Sequence, residues 1–412
     1  MAELQAFRGY RPTPELCPKV AALPYDVMSS AEAREMVKDD PYSFLHVDRA
    51  EIDLDPSVDI YSPEVYKKAA DNLKKMIDDG IYIHDENPCM YVYRLTMDGR
   101  SQTGLVACAS IDEYINNKIK KHELTREDKE QDRIRHVDAC NANTGPIFLT
   151  YRHKDEIDGI IAKVTAGTPV YDFVSEDGVG HTVWVIDSED TIKKLQSEFA
   201  EIDSLYIADG HHRNASAVKV GLKRRGEGEY DKNAEFNFYL AVAFPDDQLY
   251  IMDYNRVVKD LNGATESEFL EKISKDFDVS PADGTYKPDK ALNFGMYLGG
   301  KWYSVTAKSG SFNADDPVES LDVSILQNNL LAPVLGIGDP RTDERIAFVG
   351  GIRGLDELVR LVDSGKAAVA FAMYPTSVKQ LMEIADAGKI MPPKSTWFEP
   401  KLRSGIFIHE LS

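Results

Sequence analysis

Five consecutive residues, Asp209-Gly210-His211-His212-Arg213, set a carboxylate, two imidazoles and a guanidinium around one glycine. Fixed cations and ring N–H donors at such close spacing suit an anion, above all a phosphate. The elements that must position them flank the motif. Leu205 to Ala208 is an apolar run with the length of a buried strand. Asp209-Gly210 is a turn pair, in which Asp can bond its own backbone and Gly can take a positive φ. From His212 onward Ala215, Val218, Lys219 and Leu222 recur at helical spacing until Gly226 stops the pattern. Strand, turn and helix start bring backbone N–H groups and the positive end of a helix dipole to one point. Two adjacent histidines between Gly and Arg make poor packing residues for a tight turn, whereas functional side chains gather on loops held by rigid elements.

Three other stretches carry chemistry of the same kind. Tyr25-Asp26 follows Pro24, which favours an extended Leu23, and precedes Ser29 and Ser30, candidate caps for a helix near Ala31 to Lys38. His122-Glu123 lies in a loop before a helix that Thr125 and Asp128 would open as a capping box. Asp128, Asp132 and His136 then share one face of that helix, flanked by Arg133 and Arg135, although a charged face is also what a solvated helix presents. The tail Met391 to Gly405 is a proline-stiffened loop with three basic residues, and its Met391-Pro392-Pro393-Lys394-Ser395-Thr396 stretch presents Lys394, Ser395 and Thr396.

The remaining patterns imply an α+β architecture. Met90 to Thr96 and Thr103 to Ala109 alternate around Met97-Asp98-Gly99-Arg100 as a hairpin, and Val170 to Val174 with His181 to Ile186 as another. Ser43 to Val47 reads as a short strand carrying His46, and Pro63 to about Asp79 as an amphipathic helix. Phe236 to Phe244 and Gln248 to Tyr254 form an expected hairpin around Pro245-Asp246-Asp247. Helices over Asp322 to Leu335, Leu355 to Ser364 and Ser377 to Ala387 alternate with strands at Ile346 to Val349 and Ala368 to Met373. The texture changes near residue 260, which suggests an N-terminal region of residues 1–260 with the Asp-Gly-His-His-Arg motif and a C-terminal region of residues 261–412.

Composition narrows the function classes. The 412 residues are 43% hydrophobic and 28% charged, ample for packed cores. Acids outnumber bases by 69 to 48, a formal charge of -21 that disfavours nucleic acid as the main partner while leaving room for a local basic pocket. No apolar run reaches the ~20 residues that span a bilayer, and the N-terminus lacks a signal-peptide pattern. The four cysteines are scattered without metal-ligand spacing, so a reduced, cytoplasmic setting is expected. Walker, dinucleotide-fold, zincin and serine-hydrolase signatures are all missing.

Phosphoryl transfer needs cations on the transferred oxygens, a carboxylate for magnesium and a base near the attacking hydroxyl. Asp209, His211, His212 and Arg213 offer most of that inventory, and Asp26 or Glu123 could supply the base.

Taken together, Pro24-Tyr25-Asp26-Val27, His122-Glu123-Leu124-Thr125, the Asp209–Arg213 motif and Met391 to Thr396 resemble the domain-of-unknown-function 1015 family over essentially the whole chain. The Asp-Gly-His-His-Arg core also resembles the phosphate motif of the ParB/sulfiredoxin-like superfamily, most closely in its free L-serine kinases. That resemblance implies a ParB/sulfiredoxin-like phosphate-binding core with large insertions, Mg²⁺, and ATP or ADP as phosphoryl donor. Asp209 becomes the metal ligand and a catalytic residue, with His211, Glu123 and Asp26 as further catalytic candidates. Gly210, His212, Arg213, Lys394, Ser395 and Thr396 become nucleotide or phosphate ligands, and Tyr25, His122 and Arg133 substrate-site or supporting residues. The gap from Asp26 to Asp209 is far longer than in those compact kinases, so the base stays open between Asp26 and Glu123.

The expectation is therefore a cytoplasmic small-molecule kinase, best matched to free serine giving O-phosphoserine. Its partners would be a small substrate and a nucleotide, without nucleic acid or membrane, and self-association stays open. Rivals are a nucleotide-binding regulatory switch and a metal-dependent hydrolase using His122, Glu123, His211 and His212.

Overall fold

The hairpin of Met90–Met97 and Arg100–Ser110 turns through Asp98 and Gly99, at φ 53° and 76°, the left-handed pair that matches the twist of two-residue hairpins. It lies within a nine-stranded sheet of the computed structural model, which describes residues 2–412. The chain separates into two units. One contains the residues up to Lys121, Thr125–Leu249 and Pro400–Ser412; the other contains His122–Leu124 and Tyr250–Glu399. Both are mixed α+β, as the alternating patterns imply.

Across the first unit's sheet the order is Ile119–Lys120, Leu205–Asp209, Ile147–Tyr151, Phe238–Pro245, Arg100–Ser110, Met90–Met97, Gly180–Ile186 and Tyr171–Val174. Leu4–Gln5 adds alongside Arg100–Ser110. Leu205–Asp209 runs parallel to Ile119–Lys120, as Phe238–Pro245 does to Ile147–Tyr151. Apart from Asp209, the strands Ile147–Tyr151, Leu205–Asp209 and Phe238–Pro245 are buried throughout and read as largely apolar runs. Ile157, Ile192, Leu195 and Phe199, from the helices Asp155–Thr165 and Glu189–Ala200, complete a core with Leu149, Leu205 and Ile207. A second core gathers Val20, Phe44, Leu73 and Ile408. The helix Glu127–Cys140 packs between His211–Arg225 and Pro63–Asp78.

The second unit is built on a six-stranded antiparallel sheet, ordered Phe277–Pro281, Lys301–Ala307, Asn293–Leu298, Val369–Ala372, Tyr254–Val258 and Ile346–Gly350. Leu358 on the helix Leu355–Asp363 packs with Val257, Val349 and Ala370.

Four local expectations are corrected. Ser43 to Val47 is not a strand; Leu45–Asp48 forms one helical turn. So short an apolar run carries no period that separates the two. His46 bonds Asp53 at 2.7 Å instead of a neighbouring strand. Thr125 does not cap its helix: its hydroxyl donates to Glu130 at 2.7 Å, and Arg126 occupies the N-cap. Phe238–Pro245 does not pair with the segment after it, because both its edges are taken by Ile147–Tyr151 and Arg100–Ser110. Ile251–Met252 pairs with Trp397–Phe398 instead. Finally, the helix from Asp322 ends at Leu326 and widens into a π-helical turn over Gln327–Leu331.

Candidate active site

Leu205–Asp209 meets Ile147–Tyr151 with a break in register: Ile207 faces Leu149, yet Asp209 faces Phe148. The extra residue, Ala208, is a bulge that re-aims the strand end and hands Asp209 to the turn. Gly210 follows at φ 91°, a conformation that favours glycine, and caps the helix His211–Arg225. Its N–H donates to Asp209 Oδ1 at 2.8 Å, closing the turn expected of an Asp-Gly pair.

The other carboxylate oxygen, Oδ2, accepts from Lys401 Nζ at 2.9 Å, the two side chains being 29% and 12% exposed. Burial opposes ionisation of Asp209. The charges of Lys401 and Arg213 and the Gly210 N–H outweigh it and hold the carboxyl well below the usual carboxylate range. Lys401 comes from the C-terminal segment Pro400–Ser412, which returns to the first unit. Ala22 and Ser404 exchange backbone hydrogen bonds, and Arg403 donates to Ser175 Oγ at 3.0 Å and pairs with Asp177.

Arg213 lies across the turn it follows. A Cβ on Gly210 would sit 3.2–3.3 Å from its guanidinium. Its Nη1 donates to the Pro146 carbonyl at 2.7 Å, while its buried Nε–H meets no acceptor among the described residues. An unmatched buried donor is costly, so this one marks a place where an acceptor belongs. His212 Nε2 accepts from Arg126 N–H at 3.1 Å, His211 is buried, and Asn214 donates to Tyr239 at 3.0 Å.

Arg213 also lines a small cavity of about 20 Å³ with Tyr25, Asp48, Arg133, His136 and Thr144, room for one water. Arg133 is buried there, bonded to Asp132 at 3.0 Å, with its guanidinium 4.0 Å from the centre of the Tyr25 ring. His136 donates Nε2–H to the Val47 carbonyl at 3.0 Å; burial and then Arg133 push its pKa down, so it stays neutral. Burial and the adjacent Asp26 push the Tyr25 phenol up. Asp26 itself is exposed on the short turn Tyr25–Val27.

The expected site residues therefore divide between the units. Tyr25, Asp26, Arg133 and Asp209 to Arg213 belong to the first; His122, Glu123, Lys394, Ser395 and Thr396 belong to the second. Within the second unit, the His122 carbonyl accepts from Met391 N–H at 2.8 Å. Ser395 is buried and donates to the Pro392 carbonyl at 2.6 Å, which uses its hydroxyl hydrogen inside the loop. Lys394 takes φ 61° and its carbonyl accepts from Arg256 at 3.0 Å. Sequence reasoning did not single out Lys401, nor Asp48 and Thr144, which bond each other at 2.9 Å beside the cavity. Only the basic character of the tail pointed toward Lys401.

Among the described residues no helix is long and apolar enough to cross a membrane. No curated protein matches the sequence. Eight solved chains match. A free serine kinase in complex with AMP is 14% identical, covering 73% of this chain and 91% of that one at TM-score 0.35. A mutant free serine kinase with ADP is 15% identical over 73% and 92% at 0.33. SbnI with C-terminal truncation from Staphylococcus aureus is 12% identical over 73% and 85% at 0.37. Scores this low mark a distant likeness only. The family described as Protein of unknown function (DUF1015) matches residues 4–324, well over half of the chain, and the protein belongs to that family.

Proposed function

We propose that the Asp209–Arg213 turn holds the phosphates of ATP or ADP and that the protein transfers a phosphoryl group to a small hydroxylated metabolite, with free serine as the acceptor. The observation that carries this reading is the uncommitted buried Nε–H of Arg213, set beside a glycine-capped helix N-terminus and Lys401. Helix-start N–H groups, a guanidinium and an ammonium together supply what a phosphate requires. On a chain of formal charge -21, such a locally positive turn is selective for a small anion over a polyanion.

Magnesium fits this donor set in one way. Mg²⁺ favours oxygen ligands and often takes only one or two carboxylates, with water and substrate phosphates completing its shell. Asp209 offers a single carboxylate already paired with Lys401, so it would hold the ion as part of a magnesium–nucleotide complex; bound there, Mg²⁺ would neutralise phosphate charge.

The chain's own residues account for the rest. Arg213 and Lys401 orient the phosphates, and the Arg213–Pro146 bond fixes the guanidinium. Of the two candidate bases, Asp26 is favoured because its neighbour Tyr25 lines the same cavity as Arg213. Asp26 takes the hydroxyl proton as the acceptor oxygen bonds to phosphorus and the bond to the nucleotide breaks.

Phosphorus NMR on purified protein with Mg²⁺, serine and ATP or ADP should show O-phosphoserine forming in step with nucleotide consumption. Arg213→Ala should abolish turnover while keeping a cooperative unfolding transition. Loss of the reading follows if no small alcohol is phosphorylated, or if Arg213→Ala turns over normally. Nucleotide stabilisation without acceptor consumption would instead favour a regulatory switch.

A further inference from the structure

The second unit ends its sheet on an open strand. Ile346–Gly350 pairs antiparallel with Tyr254–Val258, and among the described residues no strand takes its other side. Bonds at both ends set the phase of this ladder: Lys259 N–H donates to Arg345 at 2.8 Å and Gly351 N–H to Asp253 at 2.7 Å. Antiparallel hydrogen bonding alternates along a strand. Arg345, Ala347, Val349 and Gly351 therefore turn their backbone groups toward Tyr254–Val258, and Phe348 turns its own to the open side, while Gly350 is buried against Trp397.

A groove of about 390 Å³ runs beside this strand, with Ala347, Val349 and Leu361 among its apolar lining and Phe348 and Trp397 as its aromatic members. Its charge runs against that of the whole chain. Lys259, Arg353 and Lys366 line it, all exposed, and no hydrogen bond or ion pair engages their side chains among the described residues. Arg345 is already paired with Asp343 at 2.8 Å, and the one acid of the lining, Glu357, with Arg360 at 2.6 Å. In a chain where acids outnumber bases 69 to 48, three cations outside any ion pair around one groove, with Glu357 the one carboxylate whose field Arg353 and Lys366 share, leave a charge for a ligand to match.

We propose that the Ile346–Gly350 edge docks an acidic peptide segment in extended conformation, adding a further strand to the sheet. Phe348 supplies the outward main-chain donor and acceptor on which such docking depends. Five residues at roughly 3.4 Å each span about 17 Å, the reach of a five- or six-residue peptide. Lys259 and Lys366 stand at the Ile346 end of the strand, where Val258 pairs with both Ile346 and Val369, and Arg353 follows Gly350 at the other. Carboxylates at both ends of the peptide would meet them. A second copy of this edge is the weaker occupant, since antiparallel self-pairing would set the same cations against one another.

Fluorescence polarisation with the full-length protein and a labelled six-residue peptide of alternating valine and glutamate tests the proposal. Binding should appear at low salt and weaken as salt rises. Lys259→Glu and Lys366→Glu should each weaken it about fivefold. Phe348→Pro removes an outward N–H without touching the ladder and should abolish it. Lys366→Glu, an exposed change that leaves the unfolding midpoint alone, decides the matter if the proline variant fails to fold. The proposal is overturned by no binding at millimolar peptide, by equal binding of a valine–lysine peptide, or by indifference to Lys366→Glu. It is likewise overturned by a protein dimer that Phe348→Pro dissociates, or by inorganic phosphate binding at the same cations while the peptide does not.

Discussion

Lys401→Met tests the link between the C-terminal segment and the phosphate turn. The substitution keeps an apolar stem and removes the ammonium that meets Asp209 at 2.9 Å. A hydrogen bond to a charged group contributes roughly 1.5–3 kcal/mol, while fully exposed ion pairs contribute about 1 kcal/mol or less. With 29% of the Asp209 side chain exposed and Arg213 supplying a second positive charge, the lower end applies, and the coupling should be about 1.5 kcal/mol. Urea unfolding of wild type, Lys401→Met, Asp209→Asn and the double variant at pH 7 measures it directly.

The pH dependence of that coupling has a definite sign. The folded Asp209 carboxyl lies below its unfolded value of ~3.9, so the pair's contribution is complete above that value and is lost only as pH falls through the folded one. The coupling should thus be equal at pH 7 and pH 5. Under the phosphate-site reading, Lys401→Met should also raise the nucleotide Kd about tenfold, equivalent to ~1.4 kcal/mol. A coupling within about 0.3 kcal/mol of zero would refute the pairing. Wild-type nucleotide affinity in a folded Lys401→Met would remove Lys401 from the phosphate site.

Two further outcomes follow from the same region. Gly210→Ala forces a side chain into φ 91° and sets its Cβ 3.2–3.3 Å from the Arg213 guanidinium, so stability should fall by about 1–2 kcal/mol in denaturant unfolding, with nucleotide affinity falling alongside; unchanged affinity would show that Arg213 need not lie over the turn. His181 accepts from Arg403 at 3.3 Å, and burial, then Arg403, pushes its pKa down to about 3. Between pH 6.5 and 3 the unfolded chain binds a proton that the folded chain refuses, so stability should drop by about 2 kcal/mol from pH 7 to 5 on this account, and His181→Gln should flatten that slope; parallel slopes would refute it.

The elements around the site were legible because each is written in local chemistry. A buried apolar run, a turn pair needing φ above zero, and a helical period ended by glycine required no knowledge of the rest of the chain, and Leu205–Asp209, Gly210 and His211–Arg225 appear where those signals lie. The hairpin at Asp98-Gly99 followed for the same reason. The failures have two causes. Phe238–Pro245 carries a perfectly good strand pattern, but its partners lie far away in sequence, so period and turn residues could not reveal that both its edges were taken. Ser43 to Val47 was too short for its period to separate strand from helix.

The chemistry of the motif was likewise determined by residue type alone. Asp, His, His and Arg around a glycine specify polar groups at a helix start whatever the rest of the fold does. What tertiary structure decided is the charge state and commitment of those groups. Lys401, 192 residues from Asp209, neutralises the carboxylate. The bulge at Ala208 re-aims it, and the Pro146 carbonyl engages one end of Arg213 while leaving Nε–H without an acceptor. Electrostatic and hydrogen-bond energies depend on distances through space of a few ångströms, and no local pattern in a sequence encodes a distance between segments so far apart along the chain.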